Sequence, residues 1–200
     1  MSFDYWRRGS FCVLLAFTTL MVSSCEVVSI AKGEEPAPAS ATYLIPKGQH
    51  SAKSRALKVA KKSRIRFEAS FDNSAIYTTS NSNNQGDINK LYGISDCGSE
   101  HQTNSARFGW RWYKGRLEIH AYTYNNKVRQ SELIGTVEPG QQATYELRLE
   151  DKQYVFLLND KKVTLPRGCT GESNGYQLYP YFGGDETAPH DIKITIRELE

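Results

Sequence analysis

An all-β domain built as two packed antiparallel sheets is the fold class that this sequence predicts, and three observations carry it. Apolar and polar residues alternate with period two over several stretches, which places every second side chain on a buried face. Two pairs of such stretches fold onto each other around two-residue turns, and no window of comparable length carries a helical apolar stripe. The third is composition. The 200 residues are 39% hydrophobic and 24% charged with a net charge of +3, which suits an ordinary soluble domain and is too weakly basic for a general nucleic-acid binder. Four cysteines are too few for a disulfide scaffold.

Residues 1–24 read as a secretory signal peptide. Arg7 and Arg8 supply its positive start, and the run from Phe11 to Val22 supplies its apolar centre. As a helix that run reaches ~18 Å, short of a bilayer core of about 30 Å. It ends in Val22-Ser23-Ser24-Cys25, which resembles the lipobox of bacterial lipoproteins. The resemblance implies that Cys25 is acylated and becomes the first mature residue. The protein would then be anchored on the extracytoplasmic side of a membrane in the bacterial cell envelope. Residues 25–41, with Pro36 and Pro38 among small neighbours, form a partly stiff tether. Oligomeric state is not legible.

Residues 42–200 form a single domain. Between Lys47 and Arg66 lie eight basic residues and no acidic one, an entry segment expected to be solvated. In the strand that follows, Ile65, Phe67, Ala69 and Phe71 face a core. The segment from Asn81 to Asp96 is polar and reads as a long, functional loop. A turn on Lys114-Gly115 sets Trp112 opposite Leu117, Trp110 opposite Ile119 and Phe108 opposite Ala121. The other face of that hairpin pairs Arg111 with Glu118, Gly109 with His120 and Arg107 with Tyr122. Tyr145, Leu147 and Leu149 alternate inward on a later strand. A second hairpin turns at Asn159-Asp160, pairing Phe156 with Val163 and Tyr154 with Leu165, and Ile192, Ile194 and Ile196 line the closing strand.

Once Cys12 leaves with the signal and Cys25 carries lipid, Cys97 and Cys169 remain. In an oxidising compartment they pair, or else stay as two separate buried thiols.

The strand rhythm from Trp110 through Asn159-Asp160-Lys161-Lys162-Val163 to the Ile192–Ile196 strand resembles the concanavalin-like jelly rolls over about two-thirds of the mature chain. That superfamily holds lectins, glycan hydrolases and lyases, so the resemblance implies glycan-facing sheets. Its hydrolases carry Glu-x-Asp-x-x-Glu on one strand, and that motif is absent. Glu146 and Glu150 would stand ~13 Å apart along a strand, too far for a hydrolase pair. Similar alginate lyases use an Arg, an amide, a His and a Tyr. The polar hairpin face offers Arg107, Arg111, His120, Tyr122 and Tyr124, and Leu117-Glu118-Ile119-His120 is similar to their Gln-x-His strand with Glu118 replacing the amide. Gly109 opposite His120 is expected to leave open space above the sheet.

The expected function is therefore a non-catalytic glycan- or ligand-binding envelope lipoprotein. An endolytic uronate lyase using Arg107, His120 and Tyr122 is the alternative, and a lipoprotein that contacts only other proteins is the third reading. Tyr176, Tyr179 and Tyr181, with Phe182 beside Gly183-Gly184, form an alternative aromatic site. No cofactor is expected. Calcium could draw on Asp185, Glu186 and Asp191, or on Asp72, Asn73 and Asp87, but neither set has regular ligand spacing. His50, His101, His120 and His190 lack zinc-ligand spacing.

Overall fold

The computed structural model describes residues 39–53 and 56–199. The signal peptide, Cys25 and most of the tether lie outside them. In chain order the strands are β1 (Ser40–Ile45), β2 (Val59–Ala60), β3 (Arg64–Phe71), β4 (Asn89–Ser95), β5 (Ser105–Tyr113), β6 (Arg116–Asn125), β7 (Val128–Val137), β8 (Gln142–Glu150), β9 (Gln153–Leu158), β10 (Lys161–Pro166), β11 (Gly175–Leu178) and β12 (Ile192–Leu199). They make two six-stranded antiparallel sheets. Sheet one runs β1-β12-β3-β8-β9-β10 and sheet two runs β2-β11-β4-β5-β6-β7. β1 begins at Ser40, two residues inside the segment read as tether.

Alternation accounts for the core. Ile65, Phe67, Ala69 and Phe71 of β3 are buried, as are Tyr145, Leu147 and Leu149 of β8 and Ile192, Ile194 and Ile196 of β12. Sheet two answers with Leu91, Phe108, Trp110, Ile119 and Ala121. Phe67 stacks on Tyr145 at 5.0 Å between centroids and meets Phe108 of the other sheet edge-on at 5.7 Å.

Both hairpins have the register that their residues predict. Trp110 pairs with Ile119, Arg111 with Glu118 and Arg107 with Tyr122, around Lys114 and Gly115 at φ of 51° and 74°. Phe156 pairs with Val163 and Tyr154 with Leu165, around Asn159 at φ of 50°.

The segment from Asn81 to Asp96 corrects its expectation. Only its first part, the 3-10 turn Ser82–Gly86, is a connection; Asn89–Ser95 is β4, an interior strand of sheet two. Its alternation is hidden because the register against β5 shifts between Lys90 and Gly93, and because Asn89 is a buried polar residue. Asn89 is satisfied there: its amide nitrogen donates to the Tyr77 hydroxyl at 3.0 Å and its oxygen accepts from the Gly183 backbone at 2.6 Å.

Cys97 and Cys169 form a disulfide, joining the loop after β4 to the segment after β10.

Candidate functional site

Sheet two sends one row of side chains into the core, so the intervening row must face outward. On β5 that row is Arg107, Gly109 and Arg111, and on β6 it is Glu118, His120, Tyr122 and Tyr124. Every hairpin candidate therefore shares one face, but the face is divided.

Its middle is closed. A Cβ built on Gly109 would stand 2.4 Å from Ile88 Cγ2, so the space expected above Gly109 is filled by Ile88. Sequence spacing could not show this, because Ile88 precedes a strand that was itself unrecognised. Beneath this cover His120 is 5% exposed and its Nε2 lies 3.3 Å from Glu118 Oε2. Burial, then the charge of Arg111, hold the imidazole below its usual pKa against the pull of Glu118. Glu118 is buried as well, accepting from Arg111 Nε at 2.8 Å and Arg116 Nε at 3.0 Å. Burial pushes its carboxyl up, but these bonds together bring it below the ordinary value. Its charge is thus neutralised locally and not turned toward a ligand.

Toward β4 and β11 the face opens. Arg107 is 7% exposed, and its guanidinium lies 5.3 Å from the Tyr122 ring centroid. Among the described residues it has no carboxylate partner, and its buried Nε has no hydrogen-bond partner at all. Gly93 allows this packing: a Cβ there would come within 2.6 Å of Arg107 Cα. Arg107 lines a cavity of about 390 Å³ with His101, Tyr176, Gln177, Tyr179 and Tyr181. The two aromatic sites read separately in the sequence are therefore neighbours around one arginine. Tyr179 also packs on the core, 5.8 Å from Tyr92.

A second cavity of about 230 Å³ is lined by Lys90, Tyr122, Arg129, Ser131, Asp87 and Arg111. Lys90 Nζ donates to the Gly183 carbonyl at 2.6 Å and sits 5.1 Å from the Tyr122 centroid and 5.9 Å from that of Tyr181. Burial, then the neighbouring Arg107, lower its pKa to about 8. Burial, then Tyr124, push Tyr122 up to about 12. The Tyr124 ring is 6.0 Å from that of Tyr122.

His101, Lys90 and Gln177 are site residues that sequence reasoning missed. Nothing in their spacing marks them, since β11 and β4 become neighbours only through the sheet order.

Three of the acidic residues considered for calcium act as loop ties. Glu186 accepts from the Ser80 and Asn81 backbones at 2.8 Å each, and Asp191 from that of Lys47 at 2.8 Å. Asp72 accepts from the Ser74 backbone at 2.8 Å. Asp96, Cys97 and Cys169 cluster closely enough for a metal, but both sulfurs are engaged in the disulfide.

No protein-family model matches the chain, and no curated protein matches it. Solved structures do. An alginate lyase superposes with a TM-score of 0.55 at 8% identity, over 80% of this chain and 75% of that one. A prokaryotic β-1,3-1,4-glucanase (lichenase) from a mouse hindgut metagenome gives 0.47 at 10% identity, over 80% and 78%. A toad ovary galectin in complex with thio-digalactose gives 0.34 at 9% identity, over 80% and 92%. At such identities the likeness establishes the fold alone: an all-β jelly roll of two antiparallel sheets.

Proposed function

We propose that the domain binds an anionic glycan, without catalysis, along the open part of the outer face of sheet two. The observation that carries this reading is Arg107, a buried guanidinium with no carboxylate partner, at the base of a tyrosine-lined cavity. A withdrawn charge of this kind is costly unless something pairs with it. A uronate carboxylate matches it in charge and in planar geometry. Lys90 and Arg129 in the adjacent cavity extend the positive surface, and the half-buried Tyr176 and Tyr181 offer aromatic surface for sugar rings, while Tyr122, at 4% exposure, backs Arg107 and Lys90. A chain of several sugars would run from one cavity to the other.

The lyase alternative loses its base. His120 lies beneath Ile88, lines neither cavity, and is bonded to Glu118. We place the domain on an acylated Cys25 in the cell envelope, on the strength of the lipobox sequence; Cys25→Ala should abolish lipid labelling and release the protein from membranes.

Titration calorimetry with oligouronates tests the binding. Arg107→Ala should weaken it by roughly 1.5–3 kcal/mol, with a shallower salt dependence than the parent, while Lys162→Ala on sheet one leaves it unchanged. Equal affinity in the parent and Arg107→Ala would move the site elsewhere. An ultraviolet assay for unsaturated uronate should stay flat, and its rise would restore the lyase reading.

A further inference from the structure

The cavity over Arg107 contains a second group whose chemistry the network determines. His101, on the loop between β4 and β5, places Nδ1 2.9 Å from the Tyr176 hydroxyl, and its backbone N–H donates to the same oxygen at 3.3 Å. That hydroxyl stands 3.1 Å from Glu100 Oε2. A tyrosine hydroxyl has one proton, and an ionised carboxylate can only accept, so the proton points to Glu100. Tyr176 then offers only lone pairs to His101, and Nδ1 must carry the imidazole proton. Nε2 is left bare on the opposite edge of the ring, with no protein partner among the described residues.

We propose that His101 is the hydroxyl-reading residue of this site, its Nε2 accepting a hydrogen bond from a sugar hydroxyl next to the carboxylate held by Arg107. The preferred ligand class is thus a polyhydroxylated carboxylate, a hexuronate unit, over a polyanion that carries charge alone. This rests on the anionic-glycan reading of the same cavity. Burial, then Arg107, keep the imidazole below its ordinary pKa, against the pull of Glu100, which preserves the bare nitrogen near neutral pH. Glu100 and Tyr176 act through His101 as positioning residues.

Two measurements test the assignment. Nitrogen-15 NMR of the imidazoles in the folded protein should show His101 protonated at Nδ1 and bare at Nε2. In Glu100→Ala the Tyr176 proton is freed to turn toward Nδ1, and the imidazole proton should move to Nε2. Binding is then compared for an oligouronate and an oligoacrylate of equal charge, which presents carboxylates without hydroxyls. The parent should favour the oligouronate, and His101→Phe and Glu100→Ala should each lose about tenfold in oligouronate affinity while keeping the oligoacrylate affinity. A parent Nε2 that already bears the proton overturns the proposal, as does an unchanged oligouronate affinity in both variants. If instead the parent binds neither polyanion, the anionic-glycan reading itself fails, and the NMR result still judges the relay.

Discussion

Arg167 Nε stands 2.8 Å from Asp96 Oδ2, and neither side chain has any exposure to solvent. The Tyr154 hydroxyl donates to the same carboxylate at 2.9 Å and the Asn174 backbone at 3.2 Å, so the charge is satisfied from several sides. Breaking such a buried pair from one side leaves an uncompensated charge. Arg167→Met should cost ~3–5 kcal/mol. Thermal unfolding should then fall by roughly 10 °C, and replacing Asp96 as well should recover part of the loss.

The contact between Ile88 and Gly109 makes a second test. Gly109→Ala introduces a methyl group where Ile88 Cγ2 already sits, and should destabilise the domain by ~1–3 kcal/mol in urea unfolding. Adding Ile88→Ala should restore much of that loss, through a coupling term of about 1 kcal/mol or more. Independent, additive effects would mean that the two residues do not touch.

Lys90 gives a pH dependence whose sign follows from its pKa of about 8 against an ordinary 10.5. Between those values the unfolded chain holds the extra proton, so folding stability rises with pH across that window. Affinity for an anionic glycan moves the other way, falling as pH rises through about 8 and the ammonium is lost. Calorimetric titrations from neutral to alkaline pH should show that decline, and Lys90→Met should remove it.

The Cys97–Cys169 bond closes a loop with a sequence separation of 72 residues. Its reduction should lower stability by roughly 4 kcal/mol on the loop-entropy account, read as a drop in the urea midpoint with reductant present. Native protein should yield no alkylated thiol at either position.

The two hairpins were legible because each is local: alternation supplies the faces, and Lys114-Gly115 or Asn159-Asp160 supplies the turn. The outward row from Arg107 to Tyr124 follows from the same arithmetic. The depth of that row was not legible. Whether Arg107 lies open or buried depends on Gly93 passing close to it, and whether His120 is reachable depends on Ile88; both are brought there by the long-range pairing of β4, which Ile88 precedes, with β5. The Glu100–Tyr176–His101 relay was hidden for the same reason, since Tyr176 enters from β11 across the sheet. β4 was missed because a register shift erases the period on which reading a strand depends.

The placing of β12 between β1 and β3 also imposes an order in time. β12 fills an interior position, so without it β1 has no ladder partner and the remaining sheet β3-β8-β9-β10 ends at an open β3 edge. Pairings this distant in sequence form slowly, because loop closure must precede any gain from the contact. β1 therefore joins sheet one only once β12 has been made, although the two lie at opposite ends of the described residues.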